Sequence, residues 1–144
     1  MGERDDRDWR ERREQAVRAH ADADARTRAA EQATAAELVT RFAADAAGRG
    51  LRTVRLTATA YDGRHRYRTG LTGWYVDRAH TRAVDTRGGF YLLTVPVSLR
   101  SLLFGAAPEP SPPPLVIGRG GRDGESMPLE VLLRQRLAAG DDWR

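Results

Sequence analysis

Alternation is the clearest pattern in the chain. Residues 51–71, LRTVRLTATAYDGRHRYRTGL, form two runs in which small or aliphatic side chains alternate with arginine, threonine and tyrosine around Asp62-Gly63. Period-two alternation on both sides of an Asp-Gly pair predicts a β-hairpin closed by a type I′ turn, whose two central residues need positive φ. With Tyr61 opposite Arg64, Ala60 faces His65, Ala58 faces Tyr67, Leu56 faces Thr69 and Val54 faces Leu71. That face is mostly apolar and is expected to point inward. The opposite face carries Arg55, Thr57, Thr59 and Tyr61 beside Arg64, Arg66 and Arg68, a basic stripe with interspersed hydroxyls.

Helical spacing occurs at both ends. Leu38, Val39, Phe42 and Ala46 mark the buried face of a helix over 31–47 that Gly48 and Gly50 stop. Leu129, Leu132, Leu133 and Leu137 mark a second, capped by Ser126 and ended by Gly140. Residues 1–30 are Ala, Arg, Asp and Glu with almost no large apolar group except Trp9 and Val17. Propensity there favours helix while nothing drives burial, which predicts a charged, solvated helical extension or a partly disordered arm. Between the helices, short strands are expected at Trp74–Asp77, Arg82–Thr86 and Phe90–Val95, then a short helix through Leu99, Leu102 and Leu103 ending at Gly105. AAPEPSPPP, residues 106–114, predicts extended polyproline-like chain, and Leu115–Ile117 an edge strand. The expectation is a single α+β domain over 31–144: a long N-terminal helix, an antiparallel sheet of about five strands and a C-terminal amphipathic helix, both helices packing on the inward sheet face.

Composition narrows the chemistry. The 144 residues suffice for one core. All 24 basic residues are arginine, and lysine, cysteine and asparagine are absent. That excludes a Walker-type lysine, Schiff-base chemistry, thiol nucleophiles, disulfides and cysteine-ligated metals. Arginine and alanine richness with no lysine suggests a GC-rich coding sequence, so the overall basicity is weak evidence for a nucleic-acid partner. Its distribution says more: residues 1–30 hold eight arginines against eight acids, and residues 41–104 hold eleven against four. With no run of about 18 apolar residues and a nearly all-charged start, a cytoplasmic protein with no membrane association is expected.

Two candidate anion sites follow. GRGGRDGES, residues 118–126, lies between an apolar run and a helix-like segment, where backbone N–H groups, a helix N-terminus and the arginines Arg119 and Arg122 would converge on an anion. Its Gly118, Gly120 and Gly124 spacing fits neither the dinucleotide nor the Walker pattern, and Asp123 and Glu125 oppose an anion, so a plain turn is the simpler reading. The stripe of Arg55, Arg64, Arg66 and Arg68, with Tyr61 for stacking, suits a phosphate backbone; the simpler alternative is a solvated basic face. His65, His80, Asp77 and Asp85 can approach across the sheet, but no metal-binding spacing occurs and no serine sits in a nucleophile elbow. No metal and no cofactor are implied.

The leading expectation is therefore a non-enzymatic binding protein that uses the arginine-rich sheet face to contact nucleic acid or another polyanion. The alternative is a protein-interaction or scaffold module that finds a partner, or a second copy, through residues 1–47. A small enzyme with a site near His65, His80 and Asp85 comes third. The segments GWYV, GFYLLTVP, GRGGRDGES and AAGDDW resemble those of uncharacterised small proteins of high-GC actinobacteria, over about residues 50–144. The resemblance implies an independent domain and no catalytic residues.

Overall fold

A single unbroken helix, α1, spans Glu3–Gly48. The computed structural model describes residues 2–118 and 126–143. The buried residues of α1 are Ala35, Val39, Phe42, Ala43 and Ala46, and every described residue before Ala35 is exposed. At 1.5 Å per residue, roughly 50 Å of charged helix therefore buries no side chain, although Arg28, Glu31 and Gln32 near its end border a groove with Pro113 and Pro114. The helix ends as its glycines predict: Gly50 takes φ +68°, its N–H donates to Ala47 O, and the N–H of buried Leu51 donates to Ala46 O. These two bonds satisfy carbonyls that the last turn would otherwise leave unpaired.

Because α1 contributes to the core only from Ala35 onward, a chain beginning at residue 31 should fold as well as the full chain. Thermal denaturation followed by circular dichroism is expected to give a midpoint within about 2 °C of the full chain, since surface changes away from packed features stay within ~0.5 kcal/mol. A much lower midpoint would show that the exposed helix is held by contacts.

The sheet comprises β1 (Val54–Ala60), β2 (Arg66–Tyr75), β3 (Arg82–Asp85), β4 (Phe90–Leu92) and β5 (Thr94–Val95), in the order β4-β3-β2-β1-β5. All neighbours are antiparallel except β1 and β5, which run parallel. The two outermost strands are halves of one extended segment. Leu93, between them, donates its N–H to Thr81 O beside β3, and its carbonyl accepts from Thr59 N–H on β1. The sheet thus closes on itself, which leaves no long free edge. Inside the closure lie Leu56, Ala83, Tyr91 and Leu93, flanked by Leu71 and Tyr75.

The outer surface is divided. Trp74, Val76, Val84 and Phe90 project outward and pack with Val39, Phe42 and Ala46 of α1 and with Leu129 and Leu133. The ribbon's apolar face, Leu56, Ala58, Ala60 and Tyr67, is buried as expected, but the helices do not cover it. They take the opposite face of the sheet, because the closed sheet supplies its own lining within. Trp74 is 1 % exposed, stands edge-on to Phe42 with ring centroids 5.9 Å apart, and donates Nε1–H to Leu51 O.

The hairpin register matches expectation near the turn and departs from it further on. Thr59 faces Arg66, Ala58 faces Tyr67 and Thr57 faces Arg68, but beyond an irregularity Arg55 faces Thr72 and Val54 faces Gly73 rather than Leu71. Gly70, at φ +72°, sits in this bulge, and the hydroxyl of Thr69 donates to the unpaired Leu56 O. A slip of two residues keeps every side chain on its face. The turn is also not type I′, because only Gly63 has positive φ, at +71°. Its N–H donates to Ala60 O, while the Asp62 carboxylate accepts from the N–H groups of Arg64 and His65. A side-chain acceptor thus replaces the tight backbone turn. The Arg64 bond, with the His65 contacts, holds the Asp62 carboxyl below its ordinary pKa.

Buried Tyr91 donates to Asp85, whose carboxylate also accepts from the N–H groups of Arg87 and Gly89. Burial, then the adjacent Asp85 charge, raises the Tyr91 pKa above its ordinary 10.0. The folded protein therefore keeps a proton that the unfolded chain releases, and stability falls as pH rises through and beyond that value. Denaturant midpoints measured from pH 8 to 11 should decline, and Tyr91→Phe should flatten the decline; an equally steep decline in the variant would contradict the assignment.

Helix α2, Leu99–Phe104, is capped by the Ser98 hydroxyl and stopped at Gly105, φ +81°. It leaves Leu99, Leu103 and Phe104 strongly exposed. Residues 106–114 form no regular element, as their prolines predict, and are tied down by Ala106 N–H to Arg68 O and Ser111 N–H to Phe90 O. Strands β6 (Val116–Gly118) and β7 (Ser126–Pro128) pair antiparallel in a separate two-stranded sheet. The last helix, α3, spans Leu129–Ala139. Ser126 is therefore a strand residue facing Gly118 rather than the helix cap; Pro128 holds the cap position, and Leu129 N–H is satisfied by Leu115 O. Among the described residues no helix is long and apolar enough to cross a membrane.

Candidate functional site

The arginine stripe follows from the ribbon's alternation. Turning Leu56, Ala58 and Tyr67 inward sends Arg55, Thr57 and Thr59 of β1 and Arg66 and Arg68 of β2 outward. Arg66 lies opposite Thr59 and Arg68 opposite Thr57, so each guanidinium has a half-buried threonine as its cross-strand neighbour. Arg64 and Tyr61 extend the surface at the turn, and all four arginines and Tyr61 are exposed. No carboxylate of a described residue comes within 4.0 Å of Arg55, Arg64, Arg66 or Arg68. The outer surface of the sheet is therefore apolar and helix-covered on one half and cationic and solvated on the other. Such a face can attract an extended anion through charge and bidentate guanidinium bonds without reading its sequence.

Arg119 and Arg122 lie outside the described residues. The strands flanking their loop are antiparallel, with Gly118 opposite Ser126, and β7 separates the loop from the first turn of α3.

The third reading needed His65, His80 and Asp85 together; each makes its side-chain contacts with other partners, while Asp77 shares a turn with His80, whose N–H donates to Asp77 O. His65 bonds Asp62 through Nδ1 at 2.6 Å and stacks on Tyr67. Asp77 accepts from the N–H groups of Thr81 and Arg82, from the Thr81 hydroxyl and from the Arg82 guanidinium. Asp85 organises the turn at Arg87–Gly89. His80, at φ +58°, lies on the Tyr75 ring with centroids 4.0 Å apart.

One feature escaped the sequence reading. A cavity of about 990 Å³ opens between the β2–β3 turn, the β6–β7 ribbon and α3, with Tyr61 and Thr94 linking its rim to the ribbon. Val76, Ile117, Met127 and Leu132 contribute apolar wall, and Trp143 a flat aromatic one. Three arginines line it: Arg78, Arg82 and Arg136. Arg82 is neutralised by Asp77 at 3.2 Å. Arg136 is buried, donates Nε–H to Tyr75 O and Nη1–H to Gly140 O, and lies 4.4 Å from the centroid of the Trp143 ring. Burial draws its pKa down from the ordinary guanidinium value, and the Asp141 charge opposes this; the group stays cationic. Its spacing was the available signal, since Arg136 follows Leu129 by seven positions and Leu133 by three, on the stripe that faces the core.

No protein-family model, curated protein or solved structure matches the chain.

Proposed function

We propose that this is a non-enzymatic binding protein that holds nucleic acid or another polyanion against the outer face of β1 and β2. The observation that supports it is the set of exposed arginines, Arg55, Arg64, Arg66 and Arg68, with no neutralising carboxylate within 4.0 Å among the described residues. Four guanidiniums on one ribbon present concentrated positive charge to a phosphate backbone, and Tyr61, 70 % exposed, offers a ring for stacking at the tip. A cytoplasmic location goes with this reading. The test is an electrophoretic-shift titration of the full chain against a labelled duplex oligonucleotide at 50 and 200 mM salt. Binding at the lower salt that collapses at the higher supports the proposal; no shift at 50 mM, or affinity indifferent to salt, refutes it.

A second reading rests on α1. Its exposed length, with Trp9 and Val17 both more than half exposed, is a surface for a protein partner or a second copy. Light scattering of the full chain and of a chain starting at residue 31 distinguishes the two: equal mass per chain in both excludes self-association through the helix.

A further inference from the structure

We infer that the cavity between α3, the β6–β7 ribbon and the β2–β3 turn is a second binding site, which borders the arginine ribbon at Tyr61 but uses none of its arginines, for an organic anion with an apolar body, an acyl carboxylate being the simplest. The volume of about 990 Å³ lies near the top of the range for small-molecule sites, roughly 300–1,000 Å³. Val76, Ile117, Met127 and Leu132 give a wall that water solvates poorly and an acyl chain covers well.

The charge pattern selects the headgroup. Arg82 has its counter-ion in Asp77, whereas Arg136 has none within 4.0 Å among the described residues. A buried cation is expensive unless paired. Here two backbone carbonyls, Tyr75 O and Gly140 O, orient the guanidinium without neutralising it, and Nη2 makes no hydrogen bond with a described residue. Arg136 is thus a buried cation offset, among the described residues, only by the more distant Asp141 charge, and it offers one anchoring point for a negative headgroup, with the exposed Arg78 on the rim adding to the attraction.

The site is also held in place. Tyr75, His80 and Trp143 stack in sequence, with 4.0 Å and then 6.2 Å between centroids, and Trp143 covers Arg136. This fixes the guanidinium before a ligand arrives, so little ordering remains to be done on binding.

Decanoate and decanol, below micellar concentration, separate headgroup from chain. By titration calorimetry, decanoate should bind the full chain at least tenfold more tightly than decanol. Arg136→Gln should reduce that preference to near unity, while the Arg66→Gln/Arg68→Gln double variant, which bears on the ribbon alone, should leave it unchanged. Ala139→Trp, at an exposed helix position on the cavity rim, should abolish both, and it carries the test if Arg136→Gln fails to fold. The inference is overturned if decanoate does not bind, if decanol binds equally well, if Arg136→Gln keeps the preference, or if Ala139→Trp keeps the affinity.

Discussion

Trp74→Ala should lower the unfolding free energy by about 3–5 kcal/mol, the range for removing a large aromatic group from a packed core. Trp74 joins the sheet to the end of α1: it projects from β2, meets Phe42 of α1 edge-on, and ties Leu51, just past the helix end, to the sheet through Nε1. Total stabilities of about 5–15 kcal/mol make this loss a large fraction of the whole. Urea denaturation followed by circular dichroism checks it. Trp74→Phe keeps much of the packing and loses the hydrogen bond to Leu51 O, so it should cost clearly less. Similar midpoints for Trp74→Ala and the unchanged chain would mean that α1 is not packed on the outer sheet face.

The second large effect concerns binding. Replacing Arg64, Arg66 and Arg68 together with glutamine should reduce the salt dependence of polyanion affinity, the slope of log K against log[salt], by about 2.7, since each neutralised phosphate contributes roughly 0.9. Between 50 and 200 mM salt that is a difference of about 40-fold in how far affinity falls. The side chains are exposed and make no ion pair with a described carboxylate, so stability should change little. Fluorescence anisotropy over a salt series, with a denaturation curve on the same sample, separates lost binding from lost fold. An unchanged slope would assign the binding to other arginines.

The alternation of residues 54–68 and the leucine and phenylalanine spacing of the two helices made most elements legible, because burial of one face imposes those periods directly. The closure of the sheet was not legible. FYLLTV reads as one strand, and nothing local reveals that Leu93 changes partner from the Thr81 side to Thr59; closure depends on accumulated twist, to which the Gly70 bulge contributes. The helix-covered face was missed for the same reason: with the sheet lining its own interior, the alternating outward residues Trp74 and Val84 became the helix seat. Ser126 preceding a leucine stripe resembles a cap, yet tertiary pairing with Gly118 placed it in a strand. The ribbon arginines lie on the face their alternation predicts. Arg136 was overlooked because an arginine in a surface-rich composition draws no notice until its spacing is set against Leu129 and Leu133.

The most direct test of which surface meets the polyanion is arginine side-chain NMR, following Nε–Hε signals as a duplex oligonucleotide is titrated into the full chain at 50 mM salt. Arg55, Arg64, Arg66 and Arg68 should shift together and saturably, with Arg4 to Arg28 of α1 nearly unmoved. Shifts concentrated in α1, with the ribbon signals stationary, would contradict binding by the sheet face.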